Sequence, residues 1–176
     1  MDRAEKEHEV VAAAGDLALT SGPDAVTVSN LARRLGLARN AVTWYFPTRD
    51  DLLAATFRHL TAEAVADPPP RLQLNGQLEW AIGRLADLRP LYLHLGARAA
   101  ESSVAAEVIR ETQDRLYAVL AHSLRNRVAP EDVDTAAALL GVFVEGLLAR
   151  PRPPRERAAL IRLATARLAP TGRAST

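Results

Sequence analysis

A chain of 176 residues with no cysteine can bury a real core, but it can form no disulfide and no thiolate metal site, and an intracellular setting fits it. Its net charge of +1 says nothing by itself about nucleic acid, so the distribution of charge has to be read instead. Nearly half of the residues are hydrophobic but only 5% are aromatic; Ala and Leu dominate, which favours close-packed helices over sheets.

From about Arg3 to Ser21, Val10, Val11, Ala14, Leu17 and Ala18 recur at helical spacing, and Gly22-Pro23 ends that helix. This first helix carries Asp2, Glu5, Glu7 and Glu9. The window from Thr27 to Arg49 is its opposite, with Arg33, Arg34, Arg39 and Arg49 and no acidic residue. Thr27 is a good N-cap for a second helix with Leu31, Ala32 and Leu35 inside. Gly36 supplies a turn, and a third helix runs from about Arg39 to Phe46, where Pro47 stops it. Val42 and Phe46, four apart, face inward and leave Arg39, Asn40, Thr43 and Tyr45 on or near the surface. Two short helices joined by a tight Gly turn, the second basic and aromatic-tipped, make a helix-turn-helix of the kind that docks on DNA.

Thr48 and Asp51 match a capping box, placing Arg49 in the first turn of a fourth helix with Leu52, Leu53, Thr56, Phe57 and Leu60 inside. Pro68-Pro69-Pro70 cannot be helical throughout and mark the end of that helix or a linker. Further helices are expected over 78–88, ended by Pro90, and around 92–100. A long one follows at about 104–127, with Val108, Ile109, Leu116, Val119, Leu120 and Leu124 buried. Another opens at Pro130 and reaches about Ala149, and a last one covers 155–168. The segment 138–149 is apolar nearly all round, as expected of a helix buried on two sides, one of them by a second subunit. The fold expected is all-α with about nine helices: a three-helix head over 1–47, a helical domain over 48–170, and a tail at 171–176. No stretch resembles a targeting peptide, and the apolar run Ala136–Val144 is too short to span a bilayer. A soluble, cytoplasmic protein without a membrane partner is expected. Seven Arg against Glu156 alone over 150–176 read as a solvated helix and tail.

The window and the helix after it resemble the TetR family of one-component transcriptional regulators. The family pattern is a Thr at the start of helix two, then roughly Leu-Ala-x-x-Leu-Gly-Val-Ser-x-Gly-Thr-Leu-Tyr-x-His-Phe-x-x-Lys-x-x-Leu. Here it reads Thr27, then Leu31-Ala32-Arg33-Arg34-Leu35-Gly36-Leu37-Ala38-Arg39-Asn40-Ala41-Val42-Thr43-Trp44-Tyr45-Phe46-Pro47-Thr48-Arg49-Asp50-Asp51-Leu52, and the likeness covers about residues 5–60. The resemblance implies that Thr27, Thr43, Tyr45 and Arg49 lie on phosphates, with Arg39, Asn40 and Ala41 near base edges and Thr43 open to sharing that role. Those residue types suit those tasks, since Arg pairs with guanine O6/N7 and Asn with adenine. Ala38 stands where the family usually caps the helix with Ser. Thr43, Tyr45 and Arg49 replace the usual Tyr, His and Lys, so no relative's operator can be borrowed. Trp44 is expected to pack against the fourth or first helix, and Arg33 and Arg34 to be plain surface.

The same resemblance implies a homodimeric repressor on a palindromic double-stranded operator, released by a small-molecule effector, and makes residues 48–170 a helical ligand-binding and dimerisation domain. The last two helices resemble the family's dimeric bundle, with Leu139, Leu140, Phe143, Val144, Leu147, Leu160, Ile161 and Leu168 as interface candidates. Trp80, Tyr92, His94, Tyr117, His122 and Phe143 are candidate pocket residues, and few polar groups point to an apolar or aromatic effector. The alternative is a helical dimeric DNA-binding protein without a pocket, controlled by a protein partner. An enzyme is not expected. The histidines at 8, 59, 94 and 122 lie far apart without a paired acid or nucleophile motif, and no Gly-rich phosphate loop exists. No cofactor or metal is implied.

Overall fold

In the computed structural model residues 3–168 are described; the segment read as a tail lies outside them. Among the described residues there are nine α-helices and no strand. They are α1 (Arg3–Ser21), α2 (Val28–Leu35), α3 (Arg39–Tyr45), α4 (Arg49–Ala64), α5 (Leu74–Leu85), α6 (Arg89–Arg98), α7 (Ser103–Leu124), α8 (Val133–Ala149) and α9 (Pro154–Leu168), with 3-10 turns at Pro23–Ala25, Ala86–Leu88 and Pro130–Asp132. None of these helices is long and apolar enough to cross a membrane.

The chain divides into two compact units, residues 1–66 with 87–110, and residues 67–86 with 111–176. In the first unit the periodic residues of α1, α2, α3 and α4, with Val26 from the segment before α2, close one core: Val10, Ala14, Val26, Leu31, Val42, Leu52 and Leu53 are fully buried. The α6 helix packs on α4 and on the turn Pro23–Ala25. Its start differs from the sequence expectation. Pro90 sits in the first turn of α6 rather than ending the helix before it, because an N-terminal turn has no need of the N–H that proline lacks.

One ion pair ties α6 to α4. Arg98 donates from Nε to Asp50 Oδ1 at 2.8 Å and from Nη2 to Oδ2 at 2.9 Å, and only 13% of the Asp50 side chain is exposed. The Arg98 guanidinium holds the Asp50 carboxyl below its ordinary pKa, outweighing the opposing effect of burial, and a Ser102 hydrogen bond helps. The same pair raises the Arg98 pKa.

The second unit is built from α5, α8, α9 and the later part of α7. Leu74, Leu78, Ile82, Leu120, Leu124, Leu140, Val144, Leu147 and Ile161 form its core. Val119, expected inside, is 57% exposed; in an apolar stretch the period alone does not say which flank of the stripe turns outward. The interface candidates divide in the same way. Leu140, Val144, Leu147 and Ile161 are buried in the core of this unit, and Phe143, Leu160 and Leu168 pack against it. Only Leu139 is free, 54% exposed, and it is joined on the outer surface by Val142 at 64% and Leu163 at 58%.

Two outcomes test this packing. A Cβ on Gly141 would stand 2.0 Å from Tyr117 Cε1, so Gly141→Ala should cost roughly 1–3 kcal/mol by overpacking despite alanine's better helix propensity. Urea denaturation measures it, and in a Tyr117→Ala background the penalty should vanish. Asp50 holds its proton more weakly folded than unfolded, so the ion pair's contribution is complete above the ordinary carboxylate pKa of 3.8 and is lost as the pH falls through the lowered value. The stability gap between the native chain and Asp50→Asn should therefore shrink as urea midpoints are taken from about pH 6 down to about pH 2; a gap independent of pH would remove the ion pair from the account.

Candidate nucleic-acid interface

A seven-residue helix such as α3 does not stand alone, and three local devices hold it against α2. Gly36 caps α2 in the left-handed region at φ 65° and ψ 29°, which a residue with a Cβ adopts only at a cost. Leu37 N then donates to Ala32 O at 2.9 Å. Val42 is fully buried and Phe46 is 4% exposed, so both anchor the inner face as their spacing predicts. Ala38 gives α3 no side-chain cap, which leaves these anchors with more of the task.

The outer face of α3 follows from that anchoring. Arg39, Asn40, Thr43 and Trp44 are exposed, and Ala41 and Tyr45 are half-buried. Arg39 Nη2 donates to Ser29 Oγ, so the guanidinium is leaned back against α2 and held by a neutral partner. The Thr43 hydroxyl donates to its own helix, 3.1 Å from Asn40 O and 3.3 Å from Arg39 O; it meets a phosphate as a donor only by rotating away. Trp44 lies edge-on to Tyr45, ring centroids 4.9 Å apart. The Arg3 guanidinium of α1 stands 4.4 Å above the Trp44 ring, yet 60% of Trp44 remains exposed. The expected packing on the first helix is thus a single cation–π contact.

The remaining predicted contacts are at the helix starts. Thr27 caps α2, its Oγ1 accepting from Asn30 N at 3.2 Å, so this hydroxyl oxygen already serves the protein. Thr48 and Asp51 form the predicted capping box: Asp51 N donates to Thr48 Oγ1 at 3.1 Å and Thr48 N to Asp51 Oδ2 at 2.9 Å. Arg49, at the first position of α4, turns back to the stretch before α2, donating to Pro23 O at 2.8 Å and Val26 O at 3.1 Å. Thr48, Arg49, Asp50 and Arg98 line an open cleft at this point. Arg34, taken for plain surface, pairs with Asp16 of α1 at 2.9 Å, and Arg33 donates to Asn30.

The candidate pocket residues are split between the units. Tyr92 and His94 belong to the first: Tyr92 stacks on Phe57 with centroids 6.0 Å apart, and His94 Nδ1 lies 3.8 Å from Asp24 Oδ1. Trp80, Tyr117, His122 and Phe143 belong to the second; Trp80 and Tyr117 are half-buried there, His122 is exposed, and Phe143 packs on the core. Sequence reading did not single out Ser29, Asp24, Asp50 or Arg98. Asp50 beside Asp51 looks like ordinary compensation of the helix dipole, and its partner is 48 residues away.

The family model for bacterial regulatory proteins of the tetR family matches residues 10–56, from mid-α1 into α4. The chain is 26% identical over 137 residues to the regulator BetI 2 of Chromohalobacter salexigens, covering 70% of this chain and 66% of that protein. Over their whole lengths the likeness is structural. A transcriptional regulator from Rhodococcus sp. Rha1 superposes with a TM-score of 0.73 at 25% identity, over 92% of this chain and 95% of that one. BioQ, solved with its double-stranded DNA operator, superposes at 0.65 with 26% identity, over 92% and 96%. These relatives are regulators rather than enzymes, and over residues 10–56 the chain carries the helix-turn-helix segment of the tetR family of bacterial regulatory proteins, on an all-helical body similar to theirs.

Proposed function

We propose that the chain is a homodimeric repressor that reads a palindromic operator with α3 and is released by a small-molecule effector. The observation that carries the DNA reading is the outer face of α3. Arg39, Asn40 and Thr43 stand exposed together on a helix whose opposite side is locked by Val42 and Phe46, so their backbone is fixed before DNA arrives. Arg39 and Asn40 are the base readers, Ala41 and Thr43 lie beside them, and Thr27, Tyr45 and the start of α4 face the sugar–phosphate backbone.

The charge on this face is small. Arg34 is neutralised by Asp16 and Arg49 faces Asp24, so a single head binds weakly and two are needed for a stable complex. The exposed apolar positions Leu139 and Val142 of α8 and Leu163 of α9 supply the second contact surface. They are flanked by Ala138, Gly146, Ala159 and Ala166, also exposed; small residues there let a second copy approach closely.

For the effector, the second unit offers Trp80, Tyr117 and Phe143 on helices that are otherwise largely aliphatic, which suits an apolar or aromatic molecule. Glu145 adds one polar demand. Its Oε2 accepts from Gln113 Nε2 at 3.4 Å while its buried Oε1 has no partner, so a donor group on the effector would be matched. An effector that prefers the head spacing unable to bind DNA would release the operator by linkage.

The protein should enrich an inverted repeat from a pool of random-sequence duplexes; a pool that stays random after repeated selection ends the DNA reading. Arg39→Ala should relax base preference at one position in each half-site, by roughly 1–3 kcal/mol of discrimination. Leu139→Glu combined with Val142→Glu should give a folded monomer with much weaker operator binding, read by sedimentation and anisotropy. A variant that still sediments as a dimer places the interface elsewhere.

A further inference from the structure

We infer that Arg49 is a positioning residue for DNA binding: it acts through the turn that precedes α2 and does not give its charge to a phosphate. This rests on the DNA reading of α3 and assigns Arg49 a different task within it.

A cation in the first turn of a helix opposes the positive end of the helix dipole, and Asp50 and Asp51 are better suited to that place. Arg49 resolves the conflict by leaving its own helix. Its Nε donates to Val26 O at 3.1 Å and its Nη2 to Pro23 O at 2.8 Å, with Asp24 Oδ1 at 3.3 Å. Three acceptors within four consecutive residues, 23 to 26 positions earlier in the chain, match the fork of a guanidinium and cannot be matched by an ammonium.

Those acceptors belong to the segment that delivers Thr27 to its capping position. Val26 is fully buried, and its carbonyl, held by Arg49, precedes the peptide N–H of Thr27. Asn30 Nδ2 holds the carbonyl between them, Ala25 O, at 2.8 Å. Pro23 O also accepts from Val26 N at 3.1 Å. The turn is thus fixed from α4 by Arg49 and from α2 by Asn30, and the α2–α3 hairpin takes its position relative to α4 from it. The charge of Arg49 is meanwhile matched by Asp24, and three of its five N–H donors face the protein.

A phosphate contact and a positioning role predict different salt dependence. Losing one phosphate contact flattens the plot of log K against log salt by about 0.9 per head. Losing a positioning residue lowers affinity by one factor at every salt concentration. The test uses the full chain and a fluorescent duplex that the native protein has itself selected from a random pool, titrated by anisotropy at several salt concentrations below the melting temperature of each variant. Arg49→Ala should lose on the order of tenfold in affinity, the scale of a lost charge-assisted hydrogen bond, along a line parallel to the native one. Arg49→Lys keeps the charge but not the fork, and it should lose affinity as well. Hydrogen exchange at the amides of Ala25 to Leu31 should quicken in both variants. Native affinity in Arg49→Lys, a flattened line or no loss in Arg49→Ala, or unchanged exchange overturns the inference while leaving the DNA reading in place. Failure of the native protein to select any duplex overturns the DNA reading, and this inference with it.

Discussion

Helices of eight and seven residues are below the length at which a helix holds in water, so the α2–α3 hairpin exists only because its ends and its inner face are fixed from outside. The ends are fixed by the Thr27 cap and by Gly36 in the left-handed region; the inner face is fixed by Leu31, Val42 and Phe46 in a core that α1 and α4 complete. Everything the outer face of α3 can do follows from this dependence. Where Arg39 and Asn40 point is decided less by α3 itself than by the elements that clamp it.

The first turn of α4 carries two of those clamps in adjacent residues. Arg49 reaches back to the turn before α2, and Asp50 reaches forward to Arg98 of α6. Asp24 receives Arg49 and also lies 3.8 Å from His94 of α6. Arg49, Asp50 and Asp24 therefore act as internal fasteners of the first unit.

The caps, the Gly turn, the capping box and the buried faces of α1 to α4 were legible because each is a local device, written within four or five residues. Thr27 and Thr48 announce their helices by side-chain chemistry alone, and Val42 with Phe46 announces the inner face of α3 by spacing. The Arg49 tether and the Asp50–Arg98 pair were not legible, since each joins residues more than twenty positions apart and a sequence does not say which acid a given arginine will find. Pro90 was misread for a related reason. A proline both closes a helix before it and opens one after it, and the residues beyond, not the proline, decide which.

The α8 helix sets a different limit. Over 136–149 nearly every position is apolar, so the period that separates inside from outside elsewhere is erased, and Leu140 cannot be told from Leu139 by composition. In the structure Leu140 is fully buried and Leu139 is 54% exposed. Position along the helix alone makes that difference: Ala136, Leu140, Val144 and Leu147 follow one stripe inward, while Leu139 and Val142 fall on the flank that α5 and α9 leave open. An uncharged outer flank of this kind is costly to leave in water, and burying it against its own copy requires no further partner. The apolar character read from the sequence was therefore two statements overlaid on one helix. One half describes the core of the second unit, and the other describes an exposed apolar surface at Leu139 and Val142.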